Sequence, residues 1–486
     1  MKFLRPFLLL LTVSLMAACA PATPVGTPPP PTISPAPPTA KPAAVVAAVP
    51  FDPTAPPVAL PAPTSTGTPT AQPLNQPTLG YYNITPLADA TLVTPFPTPL
   101  TSIKLDEGII NILLIGTDYR PYISQNYRTD TLIIVSVNTA SGLVTLVSIP
   151  RDLFVYVPQW GMTRINTAFD AGERLNYAGG GAALLKQTIL YNLGVPIHYY
   201  ALINFDGFRK VVDTLGGVEV AVNCALTEYK LISPELDERL TENYELYHQP
   251  IGVTQMNGDV ALWYARARPV GGDFFRSYRQ RQVLRAILHA ARSANLIPQI
   301  PSLYADFQGV VTTDLGLWDA MQFAPLAAKL EDAQLRSFAI GPNQTTPWLT
   351  PKGDDVLLPK ADALQRLIAE AFTPPSANQL QRPLTRIEVV NASGNAGWEL
   401  LAAETLRNEG FVPVLSAETV VTQTMTSLVD YTTTAKGSPL KTLQSILHLA
   451  DANVTPQPNA DSAVQFRLVL GQDYNPCPRL DWLPEE

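Results

Sequence analysis

Beyond residue 100 the chain alternates short apolar runs with amphipathic stretches. Asn111–Ile115 (NILLI), ended by Gly116, predicts a buried strand. Thr131–Val137 and Leu143–Ile149 predict two more, and the turn-forming Asn138–Gly142 between them predicts a hairpin. Gly181–Asn192 predicts a helix. Tyr199–Phe205 and Val218–Val222 predict strands, the latter following the Gly216-Gly217 break. Phe274–Ala294 predicts a long helix carrying Leu284, Ile287 and Leu288. Alternating strands and helices over this length predict a mixed α/β domain. Nearer the C-terminus, Ile387–Val390 and Val464–Leu470 predict strands, and Gly397–Glu409 and Leu440–Ala450 predict helices. These make a second, smaller α/β domain.

The N-terminal region follows another pattern. Lys2 and Arg5 precede an apolar stretch, Phe7–Met16, too short for a stable span, and Ala17-Ala18-Cys19 follows. Residues 1–18 therefore predict a lipoprotein signal and Cys19 a lipidated N-terminus, so the mature protein is expected outside the cytoplasm, anchored to the membrane. Residues 20–100 hold 23 of the 48 prolines and only three charged residues, Lys41, Asp52 and Asp89. Such a segment buries too little apolar surface to offset its ordering entropy, so residues 19–104 predict a disordered tether. No later apolar run reaches about 18 residues.

A net charge of −8 excludes a nucleic-acid binder, which needs a basic face. An anionic ligand must then be held by a local group of arginines. With Cys19 lipidated, Cys224 and Cys477 remain; a disulfide and two buried thiols both stay open. The four histidines are scattered, without zinc-ligand spacing.

The charged residues fall at strand ends. NILLI runs into Gly116-Thr117-Asp118-Tyr119-Arg120, and Arg128-Thr129-Asp130 opens the next strand. Paired carboxylates suit Mg²⁺, with Mn²⁺ as its substitute, because these ions take a few protein oxygens plus phosphate. Singly, each Asp reads as a turn former. Arg151-Asp152 closes the third strand. Further on come Arg266 and Arg268, which point to one side if that segment is extended. Asp273 stands as a helix N-cap, with Arg276 and Gln280 one turn apart on the same helix face. Arginine suits planar phosphate recognition. Arg279, Arg281 and Arg285 read as a solvated face.

In their order and wording these segments resemble the LytR-CpsA-Psr family of cell-wall ligases. The matching stretches are NILLIGTDYR (111–120), RTDTLIIVSVN (128–138), VSIPRDLFV (147–155), RINTAFDAG (164–172), VVDTLGGVEV (211–220), MNGDVALWYARAR (256–268) and DFFRSYRQ (273–280). The resemblance places the ligase domain at 105–375 and implies an α/β/α fold, a central mixed sheet sandwiched by helices, with an apolar channel for a prenyl tail. It implies that Asp118 and Asp130 hold the metal. Arg151, Arg266, Arg268 and Arg276 grip a pyrophosphate, Arg120, Arg128 and Gln280 line that pocket, and Asp273 assists catalysis. The expected partners are a polyprenyl-pyrophosphate-linked glycopolymer and peptidoglycan. Two departures stand out: Cys19 replaces the usual N-terminal membrane helix, and Arg164 replaces a frequent lysine. RIEVVNASGNAGWELLAAETLRNEGF (386–411) and AVQFRLVLGQDY (463–474) resemble the C-terminal domain often attached to this family, which sets 384–474 as a small binding or assembly module.

The expected reaction is attack of a peptidoglycan hydroxyl on the polymer-side phosphorus, with Asp273 or Asp118 taking the proton. Three alternatives stay open: a pyrophosphohydrolase using water, a non-catalytic glycopolymer-binding protein, and a transcriptional attenuator, the last disfavoured by charge and by the export signal.

Overall fold

A computed structural model describes residues 81–83, 93–95, 97–118, 128–268, 272–294, 299–330, 334–373, 382–432 and 438–477, all within one compact unit, Pro73–Glu486. Cys19, Arg120 and the proposed signal lie outside the described residues. Within the stretch read as tether, Tyr81–Asn83 pairs antiparallel with Val93–Pro95. Leu100 and Ile103 donate backbone hydrogen bonds of 3.0 and 2.8 Å to Tyr191 and Gly194. Order therefore starts before residue 104.

The larger domain is built on a six-stranded mixed sheet. Its strands in chain order are β1 (Ile109–Thr117), β2 (Thr129–Asn138), β3 (Val144–Ile149), β4 (Tyr199–Ile203), β5 (Val311–Thr313) and β6 (Leu335–Ala339), arranged β5-β4-β1-β2-β3-β6. β1 runs parallel to β4, and β6 parallel to β3; the other pairs are antiparallel. The expected hairpin is present. Asn138 Oδ1 accepts from the N–H groups of Ala140 and Ser141 at 3.0 and 2.9 Å, and Gly142 takes φ +76°, so the side chain replaces a missing ladder partner.

Both faces of this sheet are covered. Leu132 and Ile134 join Leu184, Leu185 and Ile189 of helix α1 (Gly180–Leu193) in one buried core. Ile133 and Val137 point the other way, towards Leu284 and Leu288 of the long helix. Period-two burial thus produces the expected α/β/α layering. A further core lies between helices α2 (Phe205–Thr214), α3 (Gly258–Arg266) and α4 (Gly272–Ser293), where Val212, Trp263, Tyr264 and Val283 meet.

Two sequence expectations are corrected. Ala261–Arg266 is helical rather than extended: Asn257 Oδ1 accepts from Val260 N–H at 3.0 Å, an N-cap that starts α3 two residues after a strand. Arg279, Arg281 and Arg285 do not form a solvated face. Arg279 and Arg285 are 7% and 3% exposed. Arg279 Nε donates to Tyr264 O at 2.9 Å, Arg285 Nη2 to Leu335 O at 2.8 Å, and Arg281 Nη1 to Ser148 Oγ at 2.9 Å. Guanidiniums here serve backbone carbonyls and a hydroxyl that helix and sheet leave without partners.

The C-terminal domain carries a five-stranded sheet, Val412–Leu415, Arg386–Asn391, Phe466–Leu470, Ser427–Asp430 and Val454–Pro456 in spatial order, with helices Trp398–Asn408 and Leu440–Leu447. Its core gathers Ile387, Val389, Leu406, Leu443 and Phe466. Cys224 and Cys477 are joined by a disulfide across a sequence separation of 253, resolving the open pairing and fastening this domain to the larger one.

Candidate active site

Strand direction decides where the charges meet. Because β1 and β4 are parallel, both end on one edge of the sheet, where antiparallel β2 begins, with Thr117 opposite Thr129. Leu132 of β2 faces Ile149 of β3, so β3 also ends there. Asp118, Asp130 and Arg151 follow or open these strands by one or two residues and are delivered to a common edge. The first turn of α4 adds Asp273 and Arg276.

Arg151 is the hub. Its Nη1 donates to Asp130 Oδ1 at 3.0 Å, and its Nε lies 3.0 Å from Asp273 Oδ2 and 3.2 Å from Asp152 Oδ2. Arg276 Nη2 donates to Asp273 Oδ2 at 3.0 Å and to the Asp130 carbonyl at 3.2 Å, while Arg268 Nε sits 3.3 Å from Asp273 Oδ1. Arg276 is 3% exposed, and its Nε has no hydrogen-bond partner among the described residues. Burial lowers its guanidinium to about 10 despite Asp273, still fully protonated at neutral pH. Burial pushes the Asp130 carboxyl upward, but Arg151 outweighs it, with Arg276 and Arg268 adding, and Asp130 stays below the usual carboxylate range. Arg151 is itself raised: burial opposes, but Asp130, Asp273 and Asp152 prevail.

Beside this cluster opens a cavity of about 740 Å³. Asp118, Asp130, Arg268 and Arg276 line its charged part; Leu114, Ile133, Leu262, Leu284 and Ile287 line apolar walls. Such a space fits an amphiphile with an anionic head and a hydrocarbon body.

The structure brings together most of the expected residues. Asp118, Asp130, Arg266, Arg268, Arg276 and Gln280 line the cavity, and Arg151 joins them through Asp130 and Asp273. Asp273 is not the N-cap the sequence suggested: α4 starts at Gly272, and Asp273 lies within its first turn with both carboxylate oxygens facing arginines. Arg266 stands apart from that group, its guanidinium 4.0 Å above the Phe205 ring centre. Gln280 Nε2 donates to Ala265 O at 3.3 Å. Arg128 is exposed and does not line the cavity, although its carbonyl accepts from Thr117 Oγ1 at 3.1 Å. Arg164 also turns elsewhere, donating to Asp354 at 2.7 Å and lying 3.6 Å from Asp152. Asp152, noted in the sequence only as half of the charge pair closing the third strand, was given no role there; in the structure its Oδ2 lies 3.2 Å from Arg151 Nε. Among the described residues no group of three or more His, Cys, Asp or Glu side chains is disposed to hold a metal. A site there would rest on the Asp118–Asp130 pair, a set that suits an ion retaining several waters.

Comparison with known proteins gives consistent matches. The family model described as LytR_cpsA_psr family matches residues 90–369, more than half of the chain. A second, described as LytR cell envelope-related transcriptional attenuator, matches residues 384–474. The polyisoprenyl-teichoic acid–peptidoglycan teichoic acid transferase TagU of Enterococcus faecalis is 29% identical over 266 residues, 53% of this chain and 80% of that protein. TagU of Bacillus subtilis is 32% identical over 215 residues, 43% of this chain and 62% of that protein. The regulatory protein MsrR of Staphylococcus aureus is 29% identical over 211 residues, 43% of this chain and 58% of that protein. Less than two thirds of these last two relatives is therefore spanned. Among solved structures, Bacillus subtilis TagV superposes with a TM-score of 0.44 and 25% identity, over 56% of this chain and 100% of that one.

Proposed function

This chain belongs to the LytR_cpsA_psr family, and from that premise we propose that it transfers a glycopolymer from a polyprenyl-pyrophosphate carrier to peptidoglycan. The observation that carries the proposal is the union of an apolar cavity with a guanidinium cluster at one end. Hydrocarbon lies along Leu262, Leu284 and Ile287, and the two phosphates meet Arg268 and Arg276. The names of the TagU relatives point to the same chemistry. Cys19 supplies the lipid anchor that keeps the enzyme on the outer membrane face beside its carrier lipid.

In the step itself the acceptor oxygen bonds to the polymer-side phosphorus, and the bond from that phosphorus to the bridging oxygen breaks. Polyprenyl phosphate leaves with the electron pair, and Asp273 takes the hydroxyl proton. Arg268 and Arg276 balance charge as it moves onto the leaving phosphate. Asp118 and Asp130 fit a divalent cation: Asp130 is held ionised, and both end neighbouring strands. When bound, Mg²⁺ supplies further charge neutralisation at the phosphates.

The purified protein is expected to convert polyprenyl-pyrophosphate-linked polymer into polymer-bearing peptidoglycan and polyprenyl phosphate. Release of polymer into water at the same rate without acceptor would instead mark a pyrophosphohydrolase. Asp118→Ala and Asp130→Ala are each expected to lower Mg²⁺-dependent transfer by about a hundredfold or more. Wild-type turnover unchanged in excess chelator would refute the metal role. Asp273→Asn is expected to lower single-turnover transfer about a hundredfold, with lipid binding kept or tightened because three arginines lose a competing carboxylate. Asparagine keeps the size of aspartate but cannot take the proton, so a wild-type rate in this variant would leave Asp273 with structure alone.

A further inference from the structure

The antiparallel hairpin of Leu226–Leu231 and Tyr244–Gln249 forms one lip of the cavity. Its register places Tyr229 opposite Leu246 and Leu231 opposite Tyr244, so these four side chains share one face. Tyr229, Leu231 and Tyr244 line the cavity, yet Tyr229 and its partner Leu246 are 63% and 64% exposed. In the segment joining the strands, Ile232, Leu236 and Leu240 are exposed as well. Five of the fifteen exposed large apolar side chains among the described residues therefore fall within residues 226–249. A single exposed leucine needs no explanation, but a group on one hairpin does.

This exposure is built into an ordered element. The hairpin is fastened to α3: Trp263 Nε1 donates to Tyr229 O at 3.2 Å, and the Tyr247 and Trp263 rings meet edge to face with centres 4.9 Å apart. Across the strands, Lys230 Nζ lies 3.2 Å from Glu245. The joining segment closes on itself. Ile232 N–H donates to Asn243 O at 2.9 Å, Tyr244 Oη to Glu238 O at 3.0 Å, and Asn243 Nδ2 to Asp237 O at 2.8 Å. Its polar groups are satisfied locally while its leucines stay at the surface.

We propose that this hairpin is a membrane contact: its apolar face and tip enter a lipid bilayer, so that the cavity mouth opens into hydrocarbon and a carrier lipid passes in without crossing water. The occupant follows from continuity. The exposed face extends the apolar wall of a cavity that suits an amphiphile, and an amphiphile's tail lies in a bilayer before it is bound. The inference rests on the lipid-carrier reading above. Charge decides how the contact works. Residues 226–249 carry six acidic and two basic side chains, so anionic headgroups do not attract the hairpin and apolar burial supplies the contact. A contact of this size is weak alone; it acts beside the proposed lipid at Cys19, since stable attachment takes two signals.

The test uses the full lipidated chain on phosphatidylcholine vesicles. Leu246→Cys carries an environment-sensitive fluorophore, and Val421→Cys, exposed on the C-terminal domain, carries the same label as a control. Vesicles with brominated acyl chains are expected to quench the label at 246, with or without carrier lipid, and to leave the label at 421 unchanged. No quenching at 246, or equal quenching at both positions, would overturn the proposal. A blue-shifted label at 246 that brominated chains do not quench would overturn it too, marking a protein surface there, a second copy included. The double variant Leu240→Glu with Leu246→Glu alters no residue lining the cavity. It is expected to lower transfer from carrier lipid in vesicles by about tenfold or more, and to keep transfer from carrier dispersed in detergent within about twofold. No loss in vesicles, or an equal loss in detergent, would refute the entry route. Quenching at 246 with no transfer by wild type would uphold the contact and fault the lipid-carrier reading instead.

Discussion

Arg151→Ala is expected to be the most damaging single substitution in the cluster. One guanidinium holds Asp130, Asp152 and Asp273, at 3.0, 3.2 and 3.0 Å. Removing it leaves three carboxyls crowded around an empty space, opposed by Arg268 and Arg276 beside Asp273 and by Arg164 at 3.6 Å from Asp152. Breaking a buried pair from one side costs about 3–5 kcal/mol; the Arg151 side chain is 20% exposed, so the lower end of that range applies. Transfer is expected to fall by more than about a hundredfold, since metal carboxylate and base are both displaced. The pH dependence has a definite sign. Asp130 is depressed in the folded state, so its contribution to stability is present above its unfolded pKa and is lost as pH falls through the folded one. Without Arg151 that depression shrinks, and acid unfolding is expected to begin at higher pH. Denaturant titrations at about pH 7 and about pH 3, which bracket the unfolded aspartate value, beside single-turnover assays, measure both effects. Activity within tenfold of wild type would show that the cluster is not organised by Arg151. Arg151→Lys restores charge without the planar fork and is expected to recover only part of either quantity.

The second large effect concerns the disulfide. Cys224 and Cys477 close a loop with a separation of 253 residues. The chain-entropy relation gives about 5 kcal/mol for a loop of that size, an upper figure because strain and residual structure in the unfolded chain reduce it. Cys477→Ser is expected to lower stability by roughly 3–5 kcal/mol. Reductant should destabilise the wild type to a similar extent and leave the variant unchanged. An equal response of both proteins to reductant would show that the bond contributes nothing. The bond does not act alone: helix Trp398–Asn408 packs against Val218–Val222, Gly252–Met256 and Leu335–Ala339 of the larger domain. Asn223 Nδ2 reaches Thr405 Oγ1 and Arg285 reaches the Asn408 carbonyl, each at 3.4 Å.

Much of this arrangement was legible in the sequence because the governing signals are local. Apolar runs bounded by glycine and asparagine mark β1, the β2–β3 hairpin and α4, and their ends differ from the observed ones by only a few residues. Asp118, Asp130 and Asp273 could be picked out because they stand at element boundaries. The signals failed where distant partners decide. Whether Ala261–Arg266 is extended or helical was left as a condition by its sequence, and Asn257, which accepts from Val260 N–H, decides it as a helix. Arg279, Arg281 and Arg285 look solvated because nothing nearby in sequence shows that Tyr264 O, Ser148 Oγ and Leu335 O await donors. Asp152 was visible as half of a charge pair, but that Arg151 also reaches Asp273 on another element was not. The pairing of Cys224 with Cys477 likewise depends on how two domains meet, which no periodicity encodes.

That link also has a history in time. A ribosome adding about 5–20 residues per second delivers Cys477 some 10–50 seconds after Cys224, across their separation of 253. Throughout that interval Cys224 waits as a thiol without its mate, and the cavity-bearing domain must keep its shape unaided. The chain contains only one other cysteine, Cys19, so that residue is the sole intramolecular wrong choice. Were Cys19 acylated, as proposed above, before oxidation begins, that thiol would be consumed, and the last covalent step of maturation would have a single outcome with no need for an isomerase to correct it.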